Sequence, residues 1–178
     1  LDCRPEQKII SLAAGVSLDQ LHAWAAPATD IIRVIPMPPI EHGLGPVAMC
    51  PADADVEGLF EKIGTCVTVA DEAQFNLFGA ASALMADFFD QVSGVTQWMS
   101  EKGLQTSTAA RYTTALYYAL ADLTVRQSAE GLHEMSEACQ TPGGLNAQFL
   151  ARRNKLGTKK SLTEGLDDIL ARLESATD

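Results

Sequence analysis

The spacing of apolar positions changes character partway along the chain. Up to about residue 70, short apolar runs alternate with amphipathic stretches. Residues 9–13 form an apolar run that stops at Gly15, and Ser17 with Gln20 gives a capping box ahead of Leu18, Leu21 and Trp24. That pattern predicts a strand, a tight turn and a helix. A second run, "IIRVI" at 31–35, predicts a strand halted by Pro36, Pro38 and Pro39. A loop with Gly43 and Gly45 then leads to a short apolar piece at 47–50. A helix over 56–63 ends at Gly64, and "TCVTV" at 65–69 makes the last strand. Alternation of this kind predicts an α/β domain whose parallel or mixed sheet is flanked by helices.

From Asp71 the period lengthens to three and four residues. Asp71 and Gln74 supply capping chemistry, and Phe75, Phe78, Ser82, Met85, Phe89, Val92, Val95 and Met99 then recur on one helical stripe. The pattern predicts one helix over 75–101, roughly 40 Å long. Further helices are predicted over 107–127 and 132–139, then one ending at Lys155 ahead of Gly157, then one opened by Ser161 and Glu164. Leu77, Leu84 and Phe88 widen the apolar surface beyond one stripe, so these helices are expected to be covered by a partner chain. The expected division is an α/β part over residues 1–70 and an all-α part over residues 71–178.

Charge and composition narrow the classes of function. Acidic residues number 23 against 13 basic, a net charge of −10, which argues against nucleic acid or an anionic membrane as the main partner. The basic group Arg152, Arg153, Lys155, Lys159 and Lys160 reads as a solvated helix end that complements the dipole, or as a local anion site. Four scattered cysteines and three scattered histidines make neither a zinc pattern nor a disulfide framework, which suggests reduced thiols in a cytoplasmic protein. The longest apolar helical run, 77–85, is too short to span a bilayer and is followed by Asp87.

Familiar catalytic signatures are absent: there is no nucleophile elbow, zinc-protease motif, phosphate loop or dinucleotide fingerprint. Three short stretches carry the remaining chemistry. "SLAAGVS" and "RVIPMPP" put small residues and prolines at the carboxyl ends of two strands, where open α/β sheets bind ligands. The third is Thr141-Pro142-Gly143-Gly144. With Thr141 as cap and Pro142 at the first helical position, the glycines would leave backbone N–H donors open to an anion such as a carboxylate.

Taken in order, "IISLAAGVSLDQL", "RVIPMPP", "LFGAASALMADFFDQV", "EKGLQTSTA" and "QTPGGLNAQ" cover most of the chain. They resemble the pyrroline-5-carboxylate reductase family. The resemblance implies the C-terminal part of a Rossmann-like NAD(P)-binding domain, entered late at Leu1, followed by an all-α dimerisation domain. It implies NADPH, or NADH, as hydride donor to a cyclic imine carboxylate, and a homodimer or higher homo-oligomer. It also assigns Ala13, Ala14, Gly15, Pro36, Met37 and Pro38 to the cofactor's nicotinamide side. Thr141, Pro142, Gly143, Gly144, Leu145 and Asn146 become the substrate-carboxylate element, and no residue is assigned as proton donor.

Departures stand out against the family's pattern, one of them at the helix entry, where Gly79-Ala80-Ala81-Ser82-Ala83 stands for Gly-Ser-Gly-Pro-Ala. The Ser-Pro-Gly-Gly-Thr-Thr-like element has Leu145 in its middle polar position, and Met37 and Pro38 replace polar residues of the nicotinamide loop. A reductase of another imine and a non-catalytic oligomerisation or binding module are the alternative readings.

Overall fold

The computed structural model describes residues 1–127 and 131–175. They divide into two compact units: Leu1–Ala81 together with the chain from Ile169 onward, and Ser82–Asp168.

The first unit holds β1 (Lys8–Ser11), α1 (Leu18–Ala25), β2 (Asp30–Pro36), β3 (Pro46–Cys50), α2 (Ala54–Phe60), β4 (Thr65–Thr68) and most of α3 (Phe75–Ser82). Short 3-10 turns occupy Pro38–His42 and Glu72–Gln74. The sheet runs β1-β2-β3-β4 and is mixed: β1 and β2 are parallel, β2 and β3 antiparallel, β3 and β4 parallel. Helices α1 and α2 provide the crossovers that parallel neighbours need, whereas the proline-rich loop after β2 turns the chain straight back. The α/β expectation and its mixed sheet are thus met.

Local chemistry fixes the helix starts. Ser17 Oγ accepts from Gln20 N–H at 3.2 Å while Gln20 Oε1 accepts from Ser17 N–H at 3.1 Å, closing the capping box legible in the sequence. Asp53, which the periodicity did not single out as a cap, accepts from Val56 N–H at 2.9 Å and starts α2 two residues earlier than expected.

Side chains of β2 alternate between the two faces of the sheet. Ile32 and Val34 join Val47 and Met49 beneath Val56 and Phe60 of α2. Ile31 packs on Leu21 and Ala25 of α1, and on the same face Ala48 and Cys50 meet Phe75. The sheet is therefore covered on both sides, and Arg33 emerges on the α1 side inside an otherwise apolar strand.

The second unit holds α4 (Leu84–Glu101), α5 (Thr106–Arg126), α6 (Leu132–Ala138), α7 (Leu145–Lys155) and the first part of α8 (Thr158–Ser175). Helices α4 and α5 pack together: Thr113 Oγ1 reaches Met99 Sδ at 3.8 Å, and Phe88 meets Tyr117 edge to face at 5.6 Å between ring centres. Among the described residues of this unit only Ala109 and Thr113 are buried, and Phe89, Trp98, Leu123 and Phe149 are exposed.

Further boundaries differ from the periodic reading, two of them by more than a residue or two. The helix expected over 75–101 is two helices that separate at Ala83, because α3 packs within the first unit and α4 follows α5. A methyl at Gly79 would lie 2.9 Å from Leu173 Cδ1, a measure of how closely α3 meets the end of α8. The final helix begins at Thr158 rather than at Ser161. Thr158 Oγ1 donates to the Arg153 carbonyl at 2.9 Å, and Ser161 N–H already pairs with the Gly157 carbonyl, so Ser161 lies inside the first turn. Glu164 is drawn to Lys160 at 3.4 Å instead of back to a cap.

Candidate functional site

Because β1 and β2 are parallel, their carboxyl ends lie at one edge of the sheet. That edge is where open α/β sheets take ligands. Ala13, Ala14 and Gly15 leave β1 there, and Pro36 ends β2 ahead of Met37 and Pro38. The three small residues are exposed, whereas Pro36 and Met37 are half-buried. Met37 N–H donates to the Pro46 carbonyl at 3.3 Å and its own carbonyl accepts from Ile40 N–H, which fixes the proline loop over the start of β3.

A cleft of about 510 Å³ opens beside this edge, bordered by Ala14, Gly15, Ser17, Arg33, Glu72 and Asn76 among others. Ala13, Pro36, Met37 and Pro38 share the edge without lining the cleft. Arg33 was not singled out from the sequence, and it organises the cleft. Its side chain is only 8% exposed. Nη1 pairs with Glu72 Oε1 at 2.5 Å, Nη2 donates to the Ala14 carbonyl at 2.9 Å, and the guanidinium stacks 5.0 Å from the centre of the Phe75 ring. Glu72 Oε1 also accepts from Leu18 N–H at 2.7 Å, at the start of α1. The clue was present in the sequence: one charge inside "IIRVI" must be buried with a partner or not at all.

Gly15 has open space where a side chain would be, which leaves its backbone open to close approach. Asp71, Glu72 and Glu174 supply acidic walls, and Arg33, the one cation among the described residues that line the cleft, is already engaged. Such a lining disfavours an anionic group and tolerates an uncharged or cationic one.

The second element lies at the start of α7. Gly144 N–H donates to the Thr141 carbonyl at 2.8 Å, and Gly143 adopts φ 74°, so Thr141-Pro142-Gly143-Gly144 is a type II turn with proline and glycine at its two central positions. The expected cap is corrected here: Gly144 is the N-cap, and Thr141 and Pro142 stand outside the helix. The turn geometry wins because a left-handed residue at Gly143 prevents helix from propagating back to Pro142. An added Cβ at Gly144 would lie 2.9 Å from the Thr141 carbonyl oxygen, and the Thr141 hydroxyl lies over the same point.

This arrangement spends the Gly144 N–H inside the turn. The first helical bond of α7 runs from Gln148 N–H to the Gly144 carbonyl, leaving the Leu145, Asn146 and Ala147 donors ahead of the ladder. No acidic side chain sits in that first turn, and the positive helix end faces outward. Leu145 is 83% exposed, and the Asn146 side-chain amide donates to the Cys139 carbonyl at 3.2 Å, tying α7 to the end of α6.

Other reactive groups are accounted for structurally. Burial is the main cause raising the Cys50 and Cys66 thiols above their ordinary values, which keeps both protonated and poorly nucleophilic. All four cysteines are free. Among the described residues no group of three His, Cys, Asp or Glu side chains could hold a metal, and no helix is long and apolar enough to cross a membrane.

Comparison with known proteins gives these elements a context. No family model matches the chain. The pyrroline-5-carboxylate reductase of Pseudomonas aeruginosa is 27% identical over 150 residues, covering 79% of this chain and 54% of the relative. That of Vibrio alginolyticus is 25% identical over 187 residues, covering 97% and 69%. The chain thus spans about half the length of the first relative, 54%. Among solved structures, the pyrroline-5-carboxylate reductase of Coxiella burnetii matches with a TM-score of 0.80 at 22% identity, over 95% of this chain and 65% of that one. The Plasmodium falciparum pyrroline carboxylate reductase, with NADP bound, matches with a TM-score of 0.81 at 16% identity, over 97% and 72%. The resemblance read from the residues is borne out in sequence, at modest identity, and the Rossmann-like and helical architecture is shared.

Proposed function

We propose that this chain, similar to pyrroline-5-carboxylate reductases, takes part in the NADPH-dependent reduction of a cyclic imine carboxylate, most specifically pyrroline-5-carboxylate to proline. The observation that carries the reading is the pairing of motifs within one chain. A small-residue strand end suits a nicotinamide, and a Pro-Gly-Gly turn feeds a helix start whose N–H groups suit a carboxylate. A reduced nicotinamide, when bound, supplies the hydride. Ala13, Ala14 and Gly15 would form its floor, with Pro36, Met37 and Pro38 along the neighbouring strand end.

The Leu145, Asn146 and Ala147 N–H groups would hold the substrate carboxylate, with the Thr141 hydroxyl beside them. Hydride addition at the imine carbon places an electron pair on nitrogen, which must take a proton. No titratable side chain stands in either element, so the substrate enters as its iminium or solvent supplies the proton. None of the named residues reads the ribose phosphate, and NADH delivers the same hydride. Assembly as a homodimer or higher homo-oligomer through the helical unit belongs to this reading, supported by the exposed aromatic and aliphatic side chains of α4, α5 and α7. The four free cysteines fit a reducing, cytoplasmic setting.

A second reading keeps the hydride chemistry and changes the ring. Leu145 projects from the first position of α7 and carries no hydrogen-bonding group, so a larger or more apolar imine is accommodated there. The test is NADPH oxidation by the intact-length protein with pyrroline-5-carboxylate and with its six-membered homologue. Turnover of the five-membered ring supports the first reading, preference for the six-membered ring supports the second, and no turnover with any cyclic imine overturns both.

A further inference from the structure

Resting on the reading above, we infer that Arg33 and Glu72 are positioning residues of the nicotinamide edge, setting cofactor affinity through the shape of the Ala13–Gly15 loop. The loop itself has little to hold it. Its residues are small and exposed, and its local side-chain tie is a 3.4 Å contact from Ala13 N–H to Ser11 Oγ. Against that, one guanidinium reaches from the middle of β2 to the Ala14 carbonyl. The carboxylate that pairs with the guanidinium also takes the Leu18 N–H at the first position of α1. The stretch from Ala14 to Leu18 is therefore gripped at both ends by a single ion pair.

The pair is built for rigidity. Arg33 Nε has no protein partner among the described residues, and the two terminal nitrogens go to separate acceptors, Glu72 and the Ala14 carbonyl. Phe75 lies over the guanidinium face. Glu72 comes from a 3-10 turn whose own start is capped by Asp71 accepting from Ala73 N–H at 2.9 Å, so the acid is also fixed in place. A loop meant to present backbone to a flat ring gains affinity when it is held in the bound shape beforehand.

Lysine at position 33 keeps the charge and cannot bridge the two acceptors. Arg33→Lys in the intact-length protein is expected to speed amide exchange over residues 13–18 and leave the Val34 and Met49 amides protected. It is also expected to raise the Kd for NADPH about tenfold, the scale of one lost charge-assisted hydrogen bond. Ile32→Val, on the opposite face of the same strand, is the control for general loosening: it lowers stability and moves neither loop exchange nor NADPH affinity. If Arg33→Lys does not fold, Glu72→Gln carries the same expectations, because it keeps an acceptor for Leu18 and removes the charge.

Loop exchange equal to wild type, or unchanged NADPH affinity in a folded variant whose loop has loosened, overturns the inference. A wild-type protein that binds no nucleotide would instead overturn the functional reading and the affinity half of the inference. Exchange alone would then decide whether the pair orders the loop.

Discussion

At position 143 the backbone turns through φ 74°, and at position 144 a side chain would meet the Thr141 carbonyl. These two glycines look alike in the sequence and have different duties, which a pair of substitutions separates. Gly143→Ala is expected to cost about 1–2 kcal/mol in denaturant unfolding, the strain of a left-handed alanine, with the turn retained. Gly144→Ala must displace Thr141, so carboxylate affinity should fall more than stability does, measured by substrate KM beside the unfolding midpoint. Elsewhere Lys8 bonds to Asp53 and lies 3.7 Å from Asp30. The hydrogen bond with Asp53 is the main cause raising Lys8, and the same bond is the main cause lowering Asp53. The lowered carboxyl contributes stability above its unfolded pKa that is lost as pH falls through the folded value, and the raised ammonium contributes stability below its unfolded pKa that is lost as pH rises through the folded one. Lys8→Met should therefore be less stable than wild type near neutrality, with the gap closing below the ordinary carboxylate pKa of about 3.9 when midpoints are compared across pH.

Between residues and the whole chain, the elements differ in how much of them could be read in advance. The capping box at Ser17 and the strand 31–35 were legible because both signals are local: one hydroxyl three residues from its amide, and one run of apolar residues bounded by prolines. The same capping logic failed at Ser161, where Gly157 ends α7 and the chain re-enters helix at once, leaving Thr158 to hydrogen-bond back first. The separation at Ala83 was illegible for another reason. Its apolar period continues through the junction, and only packing decides which unit each half joins. At the candidate site the Pro-Gly-Gly turn and the small-residue loop stood out by composition, whereas Arg33 and Glu72 meet across chain distance and could be paired only once the sheet was built. The sheet's own weight is testable through Ile32, which is 1% exposed between β2's neighbours and α2. Ile32→Ala should cost about 2–5 kcal/mol, read as a lowered unfolding midpoint, with the α7 turn unaffected because it lies in the other unit.

Surface area raises the question of assembly for the molecule as a whole. The chain exposes 12618 Å² at a mass of 19.0 kDa. Two separate compact bodies of half that mass would together expose about 10,000 Å², so even without any packing between the units the excess is about 2,500 Å². Two copies each covering an excess of that size would bury about 5,000 Å² in total, at the upper end of the range for obligate homodimers. Its location is consistent with this: Phe89, Trp98, Tyr112, Leu116, Leu123 and Phe149 are exposed in a unit whose described residues bury little beyond Ala109 and Thr113. Aromatic side chains of this kind carry much of the energy when a helical face is covered by a second copy. Multi-angle light scattering of the intact-length protein is expected to give a dimer or a multiple of one. Phe89→Glu combined with Trp98→Glu should shift it toward monomer or insoluble material, because two charges would have to be desolvated in the contact. A surface change such as Lys62→Glu, in the first unit, should leave the mass unchanged. A monodisperse wild-type monomer would mean that these helices are covered in some other way, and the homo-oligomer in the proposed function would be withdrawn.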